Sequence, residues 1–89
     1  MTMRYRRHPS VRVTALDQEG VALHLETHRY FTLNGTGFAL LDALDEPRTI
    51  PELGERLTAA YDVTVPEAER AARAFVAQCL DRGVVVAAD

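Results

Sequence analysis

Apolar and polar residues alternate through the first third of the chain and then give way to helical spacing. Val11 and Val13 point one way while Arg12 and Thr14 point the other, and Val21, Leu23 and Leu25 alternate with Ala22, His24 and Glu26. Tyr30-Phe31-Thr32-Leu33 is rich in the aromatic and β-branched residues that fit a pleated surface. Polar segments at Asp17-Gln18-Glu19-Gly20 and Glu26-Thr27-His28 read as turns. The pattern predicts three short antiparallel strands joined by two hairpins. Their shared apolar face is expected to hold Val11, Val13, Val21, Leu23, Leu25, Phe31 and Leu33.

Asn34-Gly35-Thr36-Gly37 breaks the alternation and opens a first helix, with Phe38, Leu41 and Leu44 on one face and Leu40 beside them. Asp45-Glu46-Pro47 ends it. Thr49-Ile50-Pro51-Glu52 has capping-box spacing, with Pro51 in the first turn where its missing N–H costs nothing. Ile50, Leu53, Leu57 and Ala60 form the stripe of that second helix, which Tyr61 closes. Thr64-Val65-Pro66-Glu67 repeats the box and opens the longest helix, about residues 65–82, on an apolar stripe of Ala68, Ala72, Phe75, Val76, Cys79 and Leu80. Gly83 stands where a C′ glycine is expected, and Val84-Val85-Val86 is an apolar tail able to lie back on the core. The fold class is therefore α+β and winged-helix-like, a three-stranded antiparallel sheet followed by three helices. Residues 1–9 are expected to form a basic, flexible arm, residues 10–86 the domain, and residues 87–89 a tail.

The 89 residues make one small domain, and a single cysteine excludes an internal disulfide. No apolar run approaches the roughly 20 residues of a membrane span, and no apolar stretch follows the basic start as a signal peptide would require. Cytoplasm is the default expectation, with no membrane partner. All ten basic residues are Arg, and the net charge of −3 is uneven: residues 1–33 are net positive and residues 34–89 net negative.

This balance argues against a nucleic-acid partner, because duplex DNA is bound by neutralising phosphates. A winged-helix DNA-binding protein is still the rival reading, since the second and third helices resemble a helix-turn-helix. The turn that would meet the bases, however, is Val65-Pro66-Glu67-Ala68-Glu69, whose carboxylates repel phosphate. Catalysis has no visible carrier: there is no phosphate-binding glycine loop, Ser10 is the only serine, and Cys79 sits on an apolar stripe as a structural thiol. His24 and His28 lack a third ligand at suitable spacing, so neither a metal nor another cofactor is expected.

One ordered set of motifs resembles a known family. Leu33-Asn34-Gly35-Thr36-Gly37 is followed by the apolar helix Phe38 to Leu44, then Thr49-Ile50-Pro51-Glu52-Leu53, Tyr61-Asp62-Val63 and Gly83-Val84-Val85. Together these are similar to the PqqD family, the leader-recognition domains of pathways that modify ribosomally made peptides. The third strand, Arg29-Tyr30-Phe31-Thr32-Leu33-Asn34, is more similar to the stand-alone proteins of lasso-peptide clusters than to those of pyrroloquinoline quinone synthesis. The first helix departs from the family's frequent Ile-Trp pair, reading Phe38-Ala39-Leu40-Leu41.

The resemblance implies that a leader peptide adds as a strand beside the third strand and rests against the last helix. Its implied partners are a precursor peptide and a leader peptidase or cyclase, or a radical SAM enzyme in a quinone-type pathway. An adaptor holding a protein partner in the leader's place is a third possibility. The residues fit strand addition on their own account. His28 to Leu33 contains no Pro or Lys, the usual guards of a sheet edge, and only Arg29 blunts it. The candidate peptide-binding residues are His28, Arg29, Tyr30, Phe31, Thr32 and Leu33 on the strand, and Arg70, Arg73, Ala74 and Ala77 on the last helix. The two helix arginines are candidates for pairing with leader carboxylates, and the alanines leave room for bulk.

Overall fold

A computed structural model describes residues 2–17 and 19–88. Met1, Gln18 and Asp89, expected in the arm, the first turn and the tail, lie outside the described residues. The described chain runs β1 (Tyr5–Arg7), β2 (Val11–Leu16), β3 (Glu19–His24), β4 (Arg29–Leu33), α1 (Gly35–Ala43), α2 (Ile50–Ala60), α3 (Val65–Asp81) and β5 (Val85–Ala87). Strands β2, β3 and β4 form an antiparallel meander in that order, followed by the three helices.

The register of the meander follows from its tight links. Only Asp17 and Gln18 separate the paired residues Leu16 and Glu19, with Asp17 at φ 57°. The second link closes through the His28 N–H, which donates to the His24 carbonyl at 2.9 Å, with His28 at φ 62°. Residues directly opposite one another share a face. Val13, Ala22 and Phe31 are therefore aligned on one side, as are Ala15, Gly20 and Leu33.

The face expected for β3 is thereby reversed. Ala22 and His24 are buried, whereas Leu23 and Leu25 are 40% and 46% exposed. A one-residue change of parity turns every side chain of a strand over; the observed register sets Val11 and Val13 opposite His24 and Ala22, so the larger Val21 and Leu23 fall on the other face. Gly20 faces inward because α1 lies close: a Cβ there would stand 2.5 Å from Phe38 Cδ1 and 3.2 Å from the Thr14 carbonyl oxygen. His24 is buried without an orphaned polar atom, as its Nδ1 accepts from the Glu26 N–H at 3.3 Å and its ring tilts against His8 at 4.6 Å.

The core lies between the inner face of the sheet and the helices. Leu40, Leu41 and Leu44 of the first helix and its end are essentially solvent-free, as are Leu53 of α2 and Ala72 of α3. Ala60 and Leu80, expected on the buried stripes, are exposed at the helix flanks. Each helix start is capped. Asn34 Oδ1 accepts from the Gly37 N–H at 2.8 Å. The Thr49–Glu52 box closes in both directions. Thr64 Oγ1 accepts from the Glu67 N–H at 3.3 Å. The backbone hydrogen bond from Thr49 holds the Glu52 carboxyl below its ordinary range.

Two parts of the N-terminal segment depart from the expected flexible arm. Tyr5–Arg7 pairs antiparallel with Val85–Ala87, and on its other side Tyr5 exchanges backbone bonds with Arg48 at 2.8 and 2.9 Å. Arg7 N–H donates to the Leu44 carbonyl and His8 N–H to the Val84 carbonyl. The cause is main-chain bonding, which a run of arginines does not advertise. This two-stranded sheet joins Tyr5–Arg7 to Val85–Ala87 and is separate from the sheet that contains β4.

Gly20→Ala is expected to destabilise the domain by about 1–3 kcal/mol through overpacking against Phe38. In a double-mutant cycle read by urea denaturation, Phe38→Ala should remove most of that penalty. Independent, additive losses would contradict the close packing of α1 on β3.

Candidate functional site

Backbone alternation decides which groups of β4 are free. The Leu25 N–H donates to the Ser10 carbonyl at 2.9 Å, so Glu19, Val21, Leu23 and Leu25 turn their main-chain groups toward β2. Gly20, Ala22 and His24 then face β4, where they meet Leu33, Phe31 and Arg29. Tyr30 and Thr32 consequently direct their N–H and C=O groups away from the sheet. Among the described residues no other strand pairs with β4.

That open edge borders a cleft. Thr32, Leu33, Asn34 and Gly37 line one wall, and Phe75, Gln78 and Arg82 of α3 and its C-cap line the other, enclosing about 170 Å³. Further toward the start of α3 lies an apolar pocket of about 240 Å³, formed by Thr36, Leu57, Tyr61, Val63, Glu67, Ala68 and Ala71. Glu67, Ala71, Phe75, Gln78 and Arg82 follow one another at intervals of three or four, so a single stripe of α3 walls both spaces. The Arg82 guanidinium stands 5.4 Å from the centre of the Phe31 ring and joins the helix end to β4.

The strand residues predicted from sequence are gathered along this edge. His28 closes the turn, and Arg29 begins the strand. Tyr30 is 69% exposed on the outer face, Phe31 is half-buried toward the core, Thr32 lines the cleft and Leu33 is buried. The helix residues are not brought to the cleft wall. Ala74 is exposed and is not among the residues that line the cleft. Arg70, Arg73 and Ala77 are exposed on other flanks of α3 and do not line it.

The residues that do line it are Phe75, Gln78 and Arg82, and their placement was readable from the helix phase. Ala68, Ala72, Val76 and Cys79 mark the buried stripe, and the cleft stripe is its neighbour. The motif Leu33-Asn34-Gly35-Thr36-Gly37 is also explained. It ends the edge strand in the core, caps α1, and places Thr36 at the apolar pocket.

Among the described residues no three His, Cys, Asp or Glu side chains converge as a metal site, and no helix is long and apolar enough to cross a membrane. Cys79 is buried in the core, which pushes its thiol up to about 11, with the Arg82 charge opposing in part.

An open-edged sheet beside a helix-walled cleft defines a class of site, the geometry that β-strand addition requires. The chain belongs to the PqqD family: the family model described as coenzyme PQQ synthesis protein D matches residues 19–85. Two solved structures are similar over almost the whole chain. TbiB1 in complex with the TbiA(beta) leader peptide is 29% identical, with a TM-score of 0.80, over 90% of this chain and 93% of that one. A lasso peptide synthetase B1 complexed with the leader peptide is 26% identical, with a TM-score of 0.77, over 92% of this chain and 96% of that one. A comparison with curated proteins gives no match.

With its thiol titrating near 11, Cys79 should carry on the order of one thiolate per thousand molecules at pH 8. Iodoacetamide is expected to label it only after unfolding in guanidinium. Rapid labelling of the native protein at pH 8 would show that the thiol is neither buried nor inert.

Proposed function

We propose that this protein binds the leader segment of a ribosomally made precursor peptide as an added strand on β4 and presents it to the enzymes of lasso peptide biosynthesis. The observation that carries the reading is the pair of outward-facing residues, Tyr30 and Thr32, beside the cleft of α3. Their main-chain groups supply sequence-independent affinity, while side chains entering the cleft and the apolar pocket supply selectivity. Membership of the PqqD family and likeness to two solved proteins in complex with leader peptides, one of them a lasso peptide synthetase B1, support this reading. That likeness also favours a leader peptidase or cyclase as the receiving enzyme over a radical SAM enzyme. The role is binding and presentation, with the chemistry supplied by the partner.

Titration with a synthetic leader from the cognate precursor should give micromolar or tighter binding, equivalent to at least about 8 kcal/mol. A proline scan of β4 locates it. Tyr30→Pro and Thr32→Pro remove outward N–H groups and are expected to weaken binding at least about ten-fold with the fold retained. Phe31→Pro removes an N–H bonded to β3, so its main effect should be lost stability. Equal binding by the Thr32→Pro variant and the parent would contradict strand addition.

A further inference from the structure

We infer that Arg82 selects leader segments that present an Asp or Glu side chain into the cleft, a specificity that rests on the leader-binding reading above. Arg82 is held where such a carboxylate would arrive. It is the C-cap of α3, with its N–H bonded to the Gln78 carbonyl at 3.1 Å. Beyond it, Gly83 at φ +72° lets the Val84 N–H return to the Cys79 carbonyl at 2.9 Å, which fixes the end of the helix. The side chain lies over Phe31 and lines the cleft. Stacking occupies the face of a guanidinium and leaves its N–H edge free to donate to a carboxylate through two bonds.

Among the described residues no carboxylate pairs with it. Among the described residues the side-chain ion pairs are those of Arg48 with Asp45 and Glu46. Arg29, on the same face of β4 as Phe31, is likewise without one. In a chain of net charge −3, the unpaired Arg82 guanidinium therefore lines one end of the cleft, while Glu67 stands at the far end by the apolar pocket. A docked strand meets positive charge, then apolar surface, then negative charge.

The spacing follows from chain geometry. Arg82 lies three helical turns from Ala71, roughly 16 Å along the axis at ~1.5 Å per residue. Its side chain leans back toward the start of the helix, which shortens the span. Inward positions of an extended peptide recur every second residue, at ~3.3 Å per residue. The acid and the apolar side chain that fills the Tyr61–Val63–Ala71 pocket are thus expected about four residues apart on one face.

The test is an mRNA-displayed library of random dodecapeptides selected on the wild-type protein, with Thr32→Pro identifying those that bind the strand edge. Edge-dependent peptides are expected to share an Asp or Glu at one position, about four residues from an apolar one. Arg82→Gln should weaken them about five-fold at moderate salt, the scale of an exposed ion pair, and Arg82→Lys should restore part of the loss. Arg82→Glu should prefer peptides in which that acid is replaced by Lys. If Arg82→Glu fails to fold, Arg82→Gln still decides, because it must lose the preference for Asp over Asn at that position. Edge-dependent peptides with no fixed acid, or a preference unchanged in the Arg82 variants, overturn the assignment and leave strand addition standing. A selection yielding no peptide that depends on Thr32 overturns the leader-binding reading and this inference together.

Discussion

A strand at the border of a sheet leaves every second residue's main-chain groups without a sheet partner, and here that border is β4. The cost of unpaired N–H and C=O groups is met by water when the edge is exposed, and by another strand when one is available. Everything else in the domain sets which groups those are. The two-residue link between β2 and β3 fixes the register, the Ser10–Leu25 bond fixes its parity, and the turn at His28 hands that parity to β4. Tyr30 and Thr32 face outward as a consequence of bonds made two strands away.

The remaining elements keep that edge usable. β1 and β5 pair with each other and leave β4 uncovered. α1 starts immediately after the edge strand under an Asn34 cap, and α3 runs past it to Arg82, giving a wall with a cation at one end and an apolar pocket toward the other. An edge only five residues long, with arginines at its approach, is a poor template for extended self-association.

Much of this architecture was legible in the sequence because its signals are local. The caps at Thr49 and Thr64, the break at Asn34 and the glycine at position 83 each correspond to a hydrogen bond or a backbone angle in the structure. The edge strand was legible too, because the last strand of a three-stranded meander ends its sheet. What escaped depends on phase or on distant pairing. The inward face of β3 turned on a single residue of register, which turns small Gly20 and Ala22 toward the core, where Gly20 leaves room for Phe38. Tyr5–Arg7 joined a sheet through backbone bonds to residues at the opposite end of the chain. On α3, charge and small size point to Arg70, Arg73, Ala74 and Ala77, whereas the phase of the buried stripe sets Phe75, Gln78 and Arg82 at the cleft.

Amide hydrogen exchange followed by NMR tests the central claim at single-residue level. In the free protein the Phe31 and Leu33 amides should be protected and those of Tyr30 and Thr32 should exchange quickly. With saturating leader peptide, Tyr30 and Thr32 should become protected while Phe31 and Leu33 stay so. Tyr30 and Thr32 amides that continue to exchange at their free rates in the fully bound protein would contradict the account.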